Sequence, residues 1–148
     1  MWTPDALARL TGFKAAMKAR GLPFSDEDVV LWSKPSVDLP AWLATKPPHT
    51  AIFGWHEGIA GKILAAAAAA GIEVPRQLSV VGFDSTMFCE STTPRLTAVR
   101  QPIREMAEQA AQLLLDLIEG QSPSQLSHYF PCTLDVRDST CPPASRRA

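Results

Sequence analysis

Four side chains carry the small-molecule chemistry that this sequence offers: Arg9, Trp32, His56 and Asp84. A guanidinium fork donates paired N–H groups to planar or anionic oxygens, and a carboxylate accepts from hydroxyls. An indole covers an apolar ring face, and an imidazole donates or accepts. Together they suit a hydroxyl-rich or carboxylated small molecule held in a cleft. Each also has a structural explanation: Asp84 closing a turn after a strand, Trp32 in a core, His56 capping the alanine-rich helix that follows it. The residues alone leave both explanations open.

Catalytic and metal chemistry find less support. His56-Glu57 starts like a His-Glu-x-x-His zinc helix, but Ala60 stands where the second imidazole is needed, so no metal site is expected. Gly82-Phe83-Asp84-Ser85 does not fit the Gly-x-Ser-x-Gly nucleophile turn, and Cys89 has no basic neighbour in sequence. His49, His56 and His128 lack ligand-like spacing, and no glycine-rich phosphate loop or other cofactor motif is present. A small α/β enzyme using His56, Glu57 and Asp84 as acid and base groups stays as an alternative that points to no substrate. The expectation is a protein that is not an enzyme and carries no cofactor.

These side chains must be positioned by a water-soluble fold. With 148 residues, 46% apolar and 20% charged, the chain has the make-up of one globular domain or a piece of a larger one. A net charge of −1 offers no general attraction to nucleic acid or an anionic membrane. Cys89, Cys132 and Cys141 form no Cys-x-x-Cys pair, which disfavours a disulfide framework and fits a reducing cytoplasm. No basic segment leads into an apolar stretch at the N-terminus, and the most apolar run, 63–70, is too short to span a bilayer.

Thr3-Pro4-Asp5 predicts a helix start, with Thr3 as cap, and Leu7, Leu10, Phe13 and Met17 form one apolar stripe up to Gly21. Residues 28–32 read as a short buried strand, and a short helix is expected near 41–45. A strand over 50–55, a helix over 59–70 and a continuous apolar strand over 78–83 follow. Their order, strand, helix, strand, predicts an α/β layer structure with a parallel sheet. Residues 97–99 read as briefly extended, 102–119 as a helix with a broad apolar face, and 129–131 and 133–137 as short strands. The Pro-rich residues 141–148 are expected to be a disordered tail. In such sheets ligands bind beyond the C-terminal strand ends, where His56 and Asp84 fall.

Taken in order, Thr50-Ala51-Ile52-Phe53, Gly71-Ile72-Glu73-Val74-Pro75, Leu78-Ser79-Val80-Val81-Gly82-Phe83-Asp84 and Thr93-Pro94-Arg95-Leu96-Thr97-Ala98-Val99-Arg100-Gln101-Pro102 resemble the successive motifs of LacI/GalR-type effector domains. Arg9-Leu10-Thr11-Gly12-Phe13 and Val136-Arg137-Asp138-Ser139-Thr140 resemble two further segments of that family. The resemblance covers nearly the whole chain. It implies a periplasmic-binding-protein-like fold, a parallel sheet flanked by helices, here incomplete and mostly its C-terminal subdomain. Residues 1–95 and 127–140 would form that subdomain, and 96–126 the crossover and helix of the other.

By the same resemblance Arg9 and Asp84 correspond to effector-contacting residues, Trp32 to a stacking aromatic, and His56-Glu57 to an Asn-Asp pair. That last departure matters, because an asparagine amide donates and accepts in a geometry that imidazole does not share. The implied function is effector sensing and dimerisation in a DNA-binding transcription regulator. Its partners would be a sugar or related metabolite, a second copy of the chain, and operator DNA reached only through a domain absent here. A sugar-binding protein of a transport system is the alternative with the same fold. With no helix-turn-helix and no first subdomain in the sequence, Met106, Leu113, Leu114 and Leu117 are expected to be buried by dimerisation.

Overall fold

A computed structural model describes residues 3–30, 38–45, 48–125 and 127–143. Helix α1 (Pro4–Ala19) starts with proline at its first turn and Asp5 beside the free amides, and Gly21, at φ 64°, closes it. Thr3 makes no side-chain cap, contrary to expectation. Leu7 is exposed, so the inward stripe of α1 is Leu10, Phe13 and Met17 with the buried Ala6. Phe13 stacks on Phe53 at 5.7 Å and meets the edge of Phe24 at 5.3 Å.

The predicted strand at 28–32 is not formed where it is described. Asp26–Asp28 is a single 3-10 turn, in which the Asp28 carboxylate accepts from the Ser25 amide at 2.6 Å. A side chain committed to that capping box starts a turn rather than a ladder. Val29 is extended and Val30 exposed, and residues 31–37, Trp32 among them, lie outside the described residues. The short helix appears as α2 (Leu39–Ala44), capped by Asp38 through the Ala41 amide at 3.0 Å.

Strand β1 (Ala51–Phe53) leads to α3 (Glu57–Ala69), followed by β2 (Ser79–Asp84), the five-residue α4 (Met87–Ser91) and β3 (Thr97–Arg100). Helix α5 (Ile103–Ile118) and β4 (Thr133–Asp135) complete the order. The sheet runs β1-β2-β3-β4; the first three strands are parallel and β4 is antiparallel to β3, so the expected parallel sheet is mixed at one edge. Residues 129–131 form no strand, and Tyr129 is almost wholly exposed.

Small residues set the distance between α3 and the sheet. A Cβ at Gly82 would stand 3.0 Å from Leu96 and 3.2 Å from the Ala60 Cβ, so the alanine-rich helix lies directly on β2. Ala60, Ile63, Leu64 and Ala67 of α3 join Leu39 and Leu43 of α2, Leu78 and Val80 of β2, and Leu96 and Ala98 around β3 in one core. The final segment is stitched into the same sheet. Ser139 is fully buried, donating to the Val80 carbonyl at 2.6 Å and accepting from the Thr97 amide at 2.8 Å. Cys141 follows, its amide 3.2 Å from the Ser79 hydroxyl, and residues 144–148 lie outside the described residues.

Helix α5 differs from the others in burying none of its residues. Ile103, Met106, Leu114, Leu115, Leu117 and Ile118 are exposed along it.

Candidate ligand-binding site

Because β1, β2 and β3 are parallel, their C-terminal ends open on the same side of the sheet. The chain leaves β1 through Gly54-Trp55-His56, β2 through Asp84-Ser85 and β3 through Arg100-Gln101. These exits, with Arg9 from α1, bring the polar groups together.

Arg9 is the hub. Its Nη1 donates to the Trp55 carbonyl at 2.5 Å, and Nη2 stands 3.8 Å from Asp84 Oδ1. Its guanidinium carbon lies 4.0 Å from the centroid of the Phe83 ring and 5.7 Å from that of Trp55, so two aromatic rings flank it. Asp84 also accepts from Gln101 Nε2 at 2.7 Å. Gln101 was not among the sequence-derived candidates; the signal was its place one residue beyond β3, the strand end corresponding to those of His56 and Asp84. Trp55 is a second such residue, its ring meeting His56 edge-on at 4.4 Å.

Asp84 and Ser85 both have positive φ, 92° and 53°, which turns the chain sharply as it leaves β2. An electrostatic lattice behind them holds that turn. Ser85 Oγ donates to Asp135 at 2.6 Å, and Asp135 also takes Arg100 and Arg137. Those donors, Arg100 foremost and then Ser85, keep the Asp135 carboxyl below its ordinary range. The almost buried Arg137 side chain reaches Glu90 at 2.6 Å and the Leu96 carbonyl at 2.8 Å.

His56 and Glu57, adjacent in sequence, part company. His56 stays at the rim as the cap of α3, its Nδ1 accepting from the Gly58 amide at 3.0 Å and the Ile59 amide at 3.3 Å. Glu57 turns inward and accepts from the Thr86 amide at 2.9 Å, the Thr86 hydroxyl at 2.6 Å and Cys89 Sγ at 3.2 Å. Burial would raise the Glu57 carboxyl, but these donors outweigh it and hold it below the ordinary value. The same burial, with Glu57 beside it, pushes the Cys89 thiol up to about 12. Glu57 therefore ties α3 to α4 and is fully engaged. Of the four predicted site residues, Arg9, His56 and Asp84 come together, and Trp32 lies outside the described residues.

Below Arg9, Trp55 and His56 a cavity of about 600 Å³ opens between α1, α2 and β1. Phe13, Phe24, Trp42 and Ile52 line it, with Asp28 and His49 at 3.6 Å from each other on its wall. Asp84 and Gln101 do not line it; Arg9 lines it together with Trp55 and His56 and links it to Asp84.

The periplasmic binding protein-like domain description matches residues 2–140. The chain belongs to that family. Among curated relatives, this periplasmic binding protein-like chain is 33% identical to the HTH-type transcriptional regulator DegA of Bacillus subtilis (strain 168), over 90% of this chain and 41% of that regulator. It is 30% identical to the HTH-type transcriptional regulator GalR of Escherichia coli (strain K12), over 95% of this chain and 42% of that protein. It thus spans about two fifths of the length of these relatives. Among solved structures, the regulator CelR in complex with cellobiose superposes with a TM-score of 0.78 at 29% identity, over 90% of this chain and 42% of that one. A LacI-family regulator from Enterococcus faecium with bound ribose gives 0.72 at 27%, over 93% of this chain and 52% of that one. The fold is therefore the periplasmic-binding-protein-like fold of LacI-family effector domains, present in part.

Proposed function

We propose that this chain is the effector-sensing part of a LacI/GalR-type transcription regulator, taking a sugar or sugar-like metabolite at the strand-end cluster. The observation that carries the reading is that Arg9 pairs with Asp84, itself held by Gln101, and lines the same cavity as His56. Asp84 accepts from ligand hydroxyls, the Gln101 amide oxygen accepts from another, and the Arg9 fork donates to ring or hydroxyl oxygens. The cellobiose and ribose held by two solved neighbours support a hydroxyl-rich ligand here. Trp32 is assigned the stacking face. Residues 1–95 and 127–140, with β3 (Thr97–Arg100) in their shared sheet, make up one subdomain, and α5 passes to its companion. In the whole regulator, working in the cytoplasm, two copies pair and operator DNA is met by the helix-turn-helix that the relatives' names carry. Among the described residues no helix is long and apolar enough to cross a membrane.

Calorimetric titration with cellobiose and with ribose tests the reading. Saturable binding is expected for at least one of them, weakened ~10-fold or more by Arg9→Ala through loss of charge-assisted hydrogen bonds. A panel of mono- and disaccharides that leaves both the heat signal and the melting temperature unchanged would overturn it.

A further inference from the structure

His56 does two things at once, and the first restricts the second. Its Nδ1 accepts from the amides of Gly58 and Ile59, which are among the otherwise unpaired donors at the start of α3. An imidazole nitrogen that accepts carries no proton, so the single ring proton resides on Nε2. Gly58 admits that pose and Trp55 packs against it. A Cβ at position 58 would stand 2.9 Å from His56 Cε1 and 3.1 Å from Nδ1, so only glycine lets the ring lie over the amides. On its other side Trp55 meets the ring at 80°. Turning the ring over about Cβ–Cγ would put a C–H against the two amides, so the cap selects one orientation as well as one tautomer.

We infer that His56 presents to the ligand a fixed hydrogen-bond donor, Nε2–H, and no acceptor, so that the ligand must place an oxygen lone pair opposite it. This rests on the strand-end cluster being the effector site. The rim is then polarised: His56 and Arg9 give donors along the cavity side, while Asp84 at the other end gives an acceptor. A molecule bound across it offers ring, glycosidic or carbonyl oxygen towards His56 and hydroxyl protons towards Asp84. One that turns an N–H towards His56 meets donor against donor and is rejected.

The helix cap and the ligand contact separate by substitution. Asparagine at 56 caps α3 through its amide oxygen and keeps N–H donors for the ligand; aspartate caps equally well but offers only acceptors. The test is nitrogen-15 NMR of the histidine rings in the ligand-free protein, with the His56 signals assigned by their loss in His56→Asn. Titrations of wild type, His56→Asn and His56→Asp with cellobiose and ribose accompany it. The expected results are a proton on Nε2 with a bare Nδ1, melting temperatures for both variants near wild type, affinity within ~3-fold for His56→Asn, and a loss of ~10-fold or more for His56→Asp. A proton on Nδ1, or His56→Asp binding as tightly as wild type, overturns the inference. If neither sugar binds wild type, the effector reading has failed for these sugars, while the position of the ring proton still decides the tautomer.

Discussion

At Asp84 the backbone is held at a φ of 92° that an L residue rarely adopts, and Ser85 follows at 53°. Such conformations cost about 1–3 kcal/mol each and persist where the surroundings enforce them. Here the enforcing groups are Asp135, Arg100 and Arg137 behind Ser85. Asp84→Gly would relieve one strained residue at the entropic cost of a more mobile unfolded chain, about 0.5–1 kcal/mol. The variant is therefore expected to melt no lower than wild type in a calorimetric scan while losing sugar binding; a fall of several degrees would refute the claim that this turn is strained for its site. Residue chemistry was legible in the sequence where a strand ends abruptly: Asp84 and His56 sit at the ends of apolar runs. Gln101 was not, because its strand is four residues long and gives little periodicity. Asp135 was hidden for another reason: besides Arg137 its partners, Arg100 and Ser85, are 35 and 50 positions away, a distance that no local pattern reports.

Among the elements, the terminal segment around Ser139 has no regular structure and yet completes the sheet. Its hydroxyl serves the Val80 carbonyl and the Thr97 amide together, and its own carbonyl takes the Val80 amide at 2.8 Å. Ser139→Ala leaves a buried amide without its partner, which costs about 1–3 kcal/mol in urea unfolding. Loss below a few tenths of a kcal/mol would show that water replaces the hydroxyl. The α3 and β2 elements were plain in the sequence because alanine content and a continuous apolar run are local signals. The strand expected at 28–32 had equally good composition, but Asp28 was drawn into a cap with Ser25, a tertiary-independent competitor that β propensity does not weigh. Helix α4, five residues long and capped by Thr86, is too short to show a period.

For the molecule as a whole, the exposed apolar residues of α5 dominate. Ile103, Leu114, Leu115, Leu117 and Ile118 leave a row of uncovered side chains, in contrast to α3, whose inward face is closed by the sheet. A second copy packing α5 on α5 would cover Met106, Leu114 and Leu117. Light scattering is expected to give a dimer at micromolar concentration that Leu114→Glu with Leu117→Glu converts to monomer; a monodisperse wild-type monomer would rule the pairing out. The α/β layer class was readable from the strand, helix, strand order, and the periplasmic-binding-protein-like fold only from the family motifs. The reversed direction of β4 was not, since three residues at a sheet edge carry no sign of direction.

The stitching of Ser139 also sets a timetable for synthesis. Val80 and Thr97 are translated well before the residue that satisfies them, so the sheet cannot acquire its full hydrogen bonding until position 139 has cleared the ribosome. Until then the nascent chain carries an unfinished sheet.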